Sequence, residues 1–324
     1  VSAPVVSVIV LSLDRREEVR EALGSITAQD YKAIEIIVFD NGSTDGSPEM
    51  VKREFPQATL IKAKENIGAC AGRNRALETA KGKYVFQMDN DATLSPADAI
   101  GSMVRRFEEE EDLGIIFARI EDPRTGKPYR PGYGSAFVDD EFYTWRFHGC
   151  AAMIRREAIA RAGYYLPEEF FRAGEENDLA VRVLDAGYNI LYMPSVLAHH
   201  KLSSKARDAG EIVYLTVRNN LRVAWKFYPV TRALVLTAWR PVHFLATRLA
   251  LGDVAAAARF FKIIAGQAEA LRRRRALTKN TVAVIDALTI EPAFTLAAMR
   301  ALRAKPPRVG LAALARKRFG GQLQ

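Results

Sequence analysis

Three short, almost uninterrupted apolar runs punctuate the first third of the sequence: Val5 to Leu11, Ile34 to Phe39 and, more weakly, Tyr84 to Met88. Runs of this length without polar alternation read as strands buried on both faces, an arrangement reached by laying them side by side in a parallel sheet. The segments between them carry a helical period. Val19, Ala22, Leu23 and Ile26 share one face, and Ala69 to Ala80 offers a second helix. Such alternation predicts an α/β chain with a Rossmann-like, mostly parallel sheet flanked by helices.

The pattern continues downstream. Ser95, Pro96 and Asp98 supply a capping residue, a first-turn proline and an early carboxylate for a helix to about Glu111, after which Gly114 to Ile120 returns as a strand. Ala151 to Ile154 reads as a short strand and Arg156 to Ala162 as a helix closed by Gly163. Asn177 to Ala186 is a helix closed by Gly187, and Tyr188 to Met193 a further strand. Between these, Glu121 to Gly149 holds Pro123, Gly126, Pro128, Pro131, Gly132 and Gly134. A long loop is predicted there, carrying Tyr129, Tyr133, Phe142, Tyr143 and Trp145.

Charge divides the chain. From Thr216 onward there are 20 Lys and Arg against 4 Asp and Glu, a net +16, while the preceding residues hold 27 against 34, a net −7. Two parts follow: residues 1–215, and a basic extension over 216–324 where Ala, Leu and Arg recur with helical spacing broken at Pro229, Pro241, Pro292 and Pro306. The extension either lies on an anionic membrane surface or caps the first part with a solvated basic face. Its most apolar stretch, Ala233 to Leu251, is interrupted by Arg240, Pro241, His243 and Arg248. It therefore fails as a membrane span of roughly 20 uninterrupted apolar residues. No recognition motif accompanies the basic charge, so nucleic acid is not an expected partner. Cys70 and Cys150 lie far apart without CxxC spacing, which argues against a disulfide framework or thiolate zinc and for a reducing compartment. No charged-then-apolar leader opens the sequence at Val1. The expected location is cytoplasmic, peripheral at the inner face of the plasma membrane if the extension binds lipid.

Chemistry gathers where strands end. Asp89-Asn90-Asp91 directly follows the Tyr84 to Met88 run. Ligands of open α/β sheets bind beyond the carboxyl ends of the strands, so two carboxylates there can hold Mg2+ or Mn2+ against a diphosphate; an ordinary polar turn uses the same residues. Asp40 ends the second strand in Phe39-Asp40-Asn41-Gly42-Ser43-Thr44-Asp45-Gly46-Ser47. A carboxylate there can accept the N–H of a pyrimidine base, and the small residues let backbone approach a ligand. Asn66 to Asn74 places glycines and Arg73 at a helix start; helix amides and a guanidinium both attract phosphate, and no Walker lysine follows. Glu175, Glu176 and Asp178 open another helix, where one acid could deprotonate a hydroxyl and where acids also favour the positive end of the helix dipole. His199 and His200 are neighbours on a strand and face opposite ways, so at most one readily joins a given metal site.

Taken in order, the opening Val-Ile-Val-Leu-Ser strand, the Phe39 to Ser47 segment, Asp89-Asn90-Asp91 and Glu175-Glu176-Asn177-Asp178-Leu179-Ala180-Val181-Arg182 resemble one family. It is the family 2 inverting glycosyltransferases of GT-A fold, especially their bacterial rhamnosyltransferase-like members, and the resemblance spans roughly Val5 to Asn220. It implies a nucleotide-sugar-binding half over 1–120 and an acceptor-binding half over 121–215. Ser12, Asp14, Asp40, Asn41, Ser43, Arg73, Asp89 and Asn90 would surround the nucleotide sugar, with Asp40 on the base and Arg73 on the nucleotide or diphosphate. Asp89 and Asp91 would hold a Mn2+ or Mg2+ ion completed by His199, and Trp145, Gly149 and Cys150 would line the acceptor side. The family's acidic pair maps onto Glu175 and Glu176, the second as base; Glu176 stands where Asp is common, and Glu175 stays the alternative. Leu13-Asp14-Arg15 departs from the family's frequent Tyr-Asn-Arg.

The implied reaction is one displacement with inversion, from a UDP- or dTDP-linked donor to a hydroxyl of a glycan or lipid-linked acceptor in cell-surface polysaccharide or glycoconjugate synthesis. A metal that neutralises the leaving diphosphate makes one base sufficient. The Glu121 to Gly149 loop would close as a lid, its aromatics either stacking on sugar or covering the core. A sugar-phosphate nucleotidyltransferase would need a basic site for an attacking phosphate, which the acidic pair argues against. A non-catalytic nucleotide-sugar-binding or membrane scaffold protein is the remaining alternative.

Overall fold

Burial decides the sheet. The structure, a computed structural model, describes residues 3–129, 137–201, 209–310 and 313–314. The apolar runs form β1 (Val6–Ser12), β2 (Ile34–Asp40) and β4 (Tyr84–Asp89), and Val8, Ile9, Val38, Val85 and Phe86 within them are fully enclosed. β3 (Thr59–Lys62) joins the outer edge of β2. The parallel register sets Val8 beside both Ile36 and Phe86. β9 (Ala151–Arg155) runs antiparallel between β4 and β6 (Leu113–Asp122), and β10 (Asn189–His200) lies parallel to β6. With β5 (Ala92–Ser95) at the far edge, the order is β3-β2-β1-β4-β9-β6-β10-β5. Two short strands complete it, β7 (Lys127–Pro128) on β6 and β8 (Phe142–Thr144) on β10. Six strands, β3, β2, β1, β4, β6 and β10, share one direction, so their carboxyl ends open on one edge of the sheet.

The helices follow the apolar periods. α1 (Arg16–Thr27) buries Val19, Ala22, Leu23 and Ile26, the face read from the sequence. α2 (Ser47–Glu54), α3 (Ala69–Thr79), α4 (Ala99–Glu109), α5 (Arg156–Ala162) and α6 (Glu175–Asp185) complete the α/β part. Three segments depart from expectation. α4 begins at Ala99 rather than after Ser95, because Ala92–Ser95 is spent as a strand pairing β10. The predicted long loop over 121–149 contains β7 and β8, whose Phe142 and Tyr143 are buried and cover the core; Tyr133, with Pro131, Gly132 and Gly134, lies outside the described residues. β10 runs on past Met193 to His200 through a register shift at Pro194, which has no N–H for the ladder, and changes partner there from β8 to β5.

The extension is α7 (Ala209–Phe227), α8 (Val230–Ala250), α9 (Ala256–Ala265), α10 (Gln267–Arg272), α11 (Lys279–Ile290) and α12 (Leu296–Ala304). α7 runs through the 215/216 division. Pro229 and Pro292 fall between helices, but α8 continues through Pro241; one lost backbone bond does not outweigh the packing of that buried residue. Three donors bind the fully enclosed Asp178 carboxylate: Arg182 Nε at 2.7 Å, Tyr164 OH at 2.7 Å and, from α7, Lys226 Nζ at 2.8 Å. Farther on, Ala293 and Tyr143 exchange backbone hydrogen bonds of 2.7 and 3.1 Å. Arg303 Nε donates to Asn189 Oδ1 at 2.6 Å. The extension is thus packed on the α/β part. Among the described residues no helix is long and apolar enough to cross a membrane.

Candidate active site

Two acids and their partners occupy the carboxyl end of β4. The Asp89 N–H donates to Cys150 O at 2.9 Å, fixing the start of the Asp89-Asn90-Asp91 turn against β9. Arg73, buried on α3, sets Nη2 2.6 Å from Asp89 Oδ1 and Nη1 3.6 Å from Glu175 Oε1. Burial works against its charge, but Asp89 and Glu175 more than offset this, and its pKa is raised. Asp91, fully enclosed, takes Arg15 Nη1 at 2.6 Å on one oxygen and meets His200 Nε2 at 3.0 Å on the other; His200 Nε2 also lies 3.7 Å from Asp89 Oδ2. Asn90 is half-buried in the turn.

His200, not His199, therefore faces the two aspartates, a correction to the expected ligand set. The cause is strand parity: neighbours on β10 point to opposite faces, and the register shift before Leu197 fixes which face each takes. His199 instead lines a separate hollow of about 280 Å³ with Thr93, Glu121 and Lys201. Ligand atoms of Asp89, Cys150 and His200 lie within 4.8 Å of one another. Carboxylate oxygens and an imidazole suit Mn2+, and carboxylates suit Mg2+, whereas a thiol is too soft for either. Asp89 and His200 thus supply the donors of that group that suit such an ion, with Cys150 serving as wall and Asp91, engaged by Arg15 and His200, standing behind them.

The expected nucleotide residues divide into those with an open polar atom and those committed to the wall. Asp40 Oδ1 accepts the N–H groups of Gly42 at 3.2 Å and Ser43 at 2.9 Å, while its buried Oδ2 has no hydrogen-bond partner. Ser12 Oγ, at the end of β1, is likewise buried without one. Groups of this kind are costly unless something bonds them. Asn41 is committed elsewhere: its amide accepts from Ile67 N at 2.9 Å and donates to Asn66 Oδ1 and Gly68 O. Asp14, at φ 48°, accepts from Thr44 N at 2.7 Å and donates its own N–H to Ser43 Oγ at 3.0 Å, latching the β1 and β2 loops together. The α3 amides expected to attract phosphate are also engaged. Ala69 and Cys70 donate to Phe171 O at 2.7 and 3.2 Å, leaving Arg73 as that segment's cation. Gly68 permits this approach, since a Cβ there would stand 2.5 Å from the Phe171 ring.

The paired acids open α6 beside this cluster. Burial and the Glu176 carboxylate push Glu175 up to about 8, against the pull of Arg73, and its Oε2 is buried without a partner. Burial also raises Glu176, the more exposed of the two. A Cβ on Gly149 would fall 2.8 Å from Glu176 Oε1 and 2.6 Å from Gln87 Nε2, so a side chain there would push both ends aside. Gln87 Nε2 in turn donates to Gly149 O at 2.9 Å. Trp145 is half-buried against the core. Cys70 and Cys150 are both buried.

Several residues here were not singled out from sequence. Arg15 had a faint signal, a cation just past the end of β1. Gln87 had one too, a polar residue within an apolar strand. Asn219 had none: from α7 its single Nδ2 donates to the carbonyls of Phe170, Arg172 and Ala173 at 3.2, 3.0 and 2.7 Å. Those bonds hold the turn leading into Glu175, where Phe171, Ala173 and Gly174 all have φ between 63° and 85°.

A sheet of this order with helices on both faces and an acidic turn at its carboxyl edge is the GT-A fold. A Mannosyltransferase PcManGT from Pyrobaculum calidifontis, solved with GDP-Man and Mn2+, superposes over 98% of this chain and 88% of its own, with TM-score 0.57 at 22% identity. S. aureus TarS 1-349 superposes over 99% and 92%, with TM-score 0.58 at 14% identity. Residues 7–163 match the family model for Glycosyl transferase family 2. Residues 7–163 are thus a domain of that family. The chain is 32% identical over 138 residues to the Putative glycosyltransferase EpsH of Bacillus subtilis, covering 42% of this chain and 40% of that one. It is 23% identical over 245 residues to an N-acetylglucosaminyl-diphospho-decaprenol L-rhamnosyltransferase of Mycobacterium tuberculosis, 63% of this chain and 78% of that one. Matches to the first five curated relatives span only 16 to 40% of their lengths.

Proposed function

We propose that the protein is an inverting glycosyltransferase. It moves a sugar from a UDP- or dTDP-linked donor to a hydroxyl of a glycan or lipid-linked acceptor, in the assembly of a cell-surface polysaccharide or glycoconjugate. The reading rests on one observation: Asp89, Asp91, His200, buried Arg73 and the Glu175–Glu176 pair converge at the carboxyl edge of one sheet. Similarity to an N-acetylglucosaminyl-diphospho-decaprenol L-rhamnosyltransferase supports the lipid-linked acceptor class.

Asp40 Oδ2 accepts an N–H of the base, and Arg73 lies beside the diphosphate. Asp89 and His200, backed by Asp91, would hold a divalent ion, which would supply positive charge to the leaving diphosphate. Glu176 takes the acceptor proton as that oxygen attacks the anomeric carbon from the side opposite the leaving group. Its raised pKa makes it the stronger base once ionised. Glu175 steers Arg73. The location this implies is peripheral, at the inner face of the plasma membrane.

Release of nucleoside diphosphate, followed across donors with Mn2+ and with Mg2+, tests the reading. Glu176→Gln should keep donor binding and lose roughly a hundredfold or more of transfer. His200→Ala should weaken metal dependence roughly tenfold or more. A product of retained configuration would overturn the scheme.

A further inference from the structure

The outward side of the extension differs from the rest of the surface. On α8, Val235, Trp239, Val242, Ala246 and Leu249 follow one another at three- and four-residue steps, a single stripe, and every one is exposed. Leu234 and Ala238 flank it, also exposed. The other side of the same helix buries Ala233, Leu236, Pro241 and Phe244. A helix that is apolar on both sides is ordinarily enclosed. The stripe continues through the turn after α8 in Leu251 and Val254, 74% and 82% exposed, and onto α9 in Phe261 and Ile264.

Charge identifies what covers it. Asp253 is the one acid between 230 and 265, and it is held by Arg248 at 2.9 Å and Arg259 at 3.0 Å. Lys262 is exposed beside Phe261. Arg274 donates to the carbonyls of Trp225 at 2.7 Å and Tyr228 at 2.6 Å, which brings the Arg272 to Arg275 run to the start of α8. A second copy on this face would press together two extensions of net +16, a repulsion that opposes self-association. The occupant must be apolar within and anionic at its rim, and a bilayer rich in anionic lipid is both.

We propose that the α8–α9 face is a membrane-docking surface, its apolar stripe set into the interfacial layer of an anionic bilayer and its Lys and Arg rim on the headgroups. For the acceptor, this rests on the transferase reading and makes it lipid-linked. α8 packs on α7, and α7 carries the Asn219 that shapes the turn before Glu175, so the bilayer lies one helix away from the paired acids.

The full chain is sedimented with vesicles of phosphatidylcholine alone and of phosphatidylcholine mixed with phosphatidylglycerol. Binding is expected to the mixed vesicles and to weaken with salt. The double variant Trp239→Glu, Phe261→Glu should bind them roughly tenfold less or worse, and Lys262→Glu should reduce binding by a smaller factor. Both lie on the surface, so melting and donor binding should match the parent chain. Absence of binding to mixed vesicles overturns the proposal, as does a double variant that binds like the parent. A concentration-dependent dimer that the double variant abolishes assigns the face to a second copy instead and equally overturns it. No sugar enters the sedimentation, so its failure leaves the transferase reading intact, and an inactive transferase leaves docking intact.

Discussion

Glu175 and Glu176 sit side by side because α6 begins where the sheet edge and α3 leave little water. The pH dependence follows from that burial. Glu175 titrates near 8 in the folded chain against an ordinary 4.5. Between those values the folded state holds a proton that the unfolded state has lost, so the pair's contribution to stability is complete below the ordinary value and disappears as pH rises through about 8. Glu175→Gln removes the titrating group. Its thermal midpoint should equal that of the parent only below the ordinary value of 4.5 and exceed it above pH 8 by roughly 2–4 °C. Equal midpoints across the whole range would show that Glu175 is not proton-bearing at neutrality. Transfer itself should rise with pH over a limb displaced above the usual carboxylate range. The clustering of Asp89, Asp91, Arg73 and the paired acids was legible because each ends a strand or opens a helix, positions that apolar periodicity locates. Which histidine faces them was not, since parity on β10 is reset at Pro194 by a register shift that leaves no mark in the period.

Among elements, the turn from Phe170 to Gly174 holds most of the local strain. Two non-glycine residues there, Phe171 and Ala173, adopt left-handed φ of 63° and 69°, a region disfavoured for side chains with a Cβ. What offsets this lies outside the turn: Asn219 bonds three of its carbonyls, Arg222 Nη1 donates to Glu169 O at 2.9 Å, and the α3 amides close on Phe171 O. Asn219→Ala would take this donor from the Arg172 and Ala173 carbonyls, a cost of about 1–3 kcal/mol for each one that water cannot reach, while Phe170 O keeps the Arg172 N–H at 2.7 Å. It should also loosen the start of α6. The expected outcome is a kcat lowered roughly tenfold or more, with donor affinity nearly unchanged because Asp40 and Arg73 are undisturbed. A fall in melting temperature with unaltered kcat would reduce Asn219 to a purely structural role. Strands β3, β5, β7 and β8 escaped the sequence reading because each is only two to four residues long. Windows of that size carry no usable period, and neighbours decide their pairing.

For the molecule as a whole, the doubly wound sheet was legible from three apolar runs, and the charge step near residue 216 marked a change of surface. It did not mark a break in packing. α7 runs unbroken through that point, and its Lys226 is enclosed against Asp178 beneath Tyr164 and Phe170. Charge composition reports what faces water and is silent about a buried ion pair, which is why the joint could not be read from it. Removing one partner of such a pair costs about 3–5 kcal/mol, comparable to much of the net stability of a domain. A chain ending at residue 215 loses Lys226, Asn219 and Arg222 together, along with the Ala293–Tyr143 backbone bridge. It should therefore unfold without a cooperative transition or melt far below the parent, whereas a chain ending after α12 at residue 304 should melt close to it. Circular dichroism melts of the two truncations decide the matter. A cooperative, parent-like transition for the shorter chain would mean that the extension is carried by the α/β part rather than completing it.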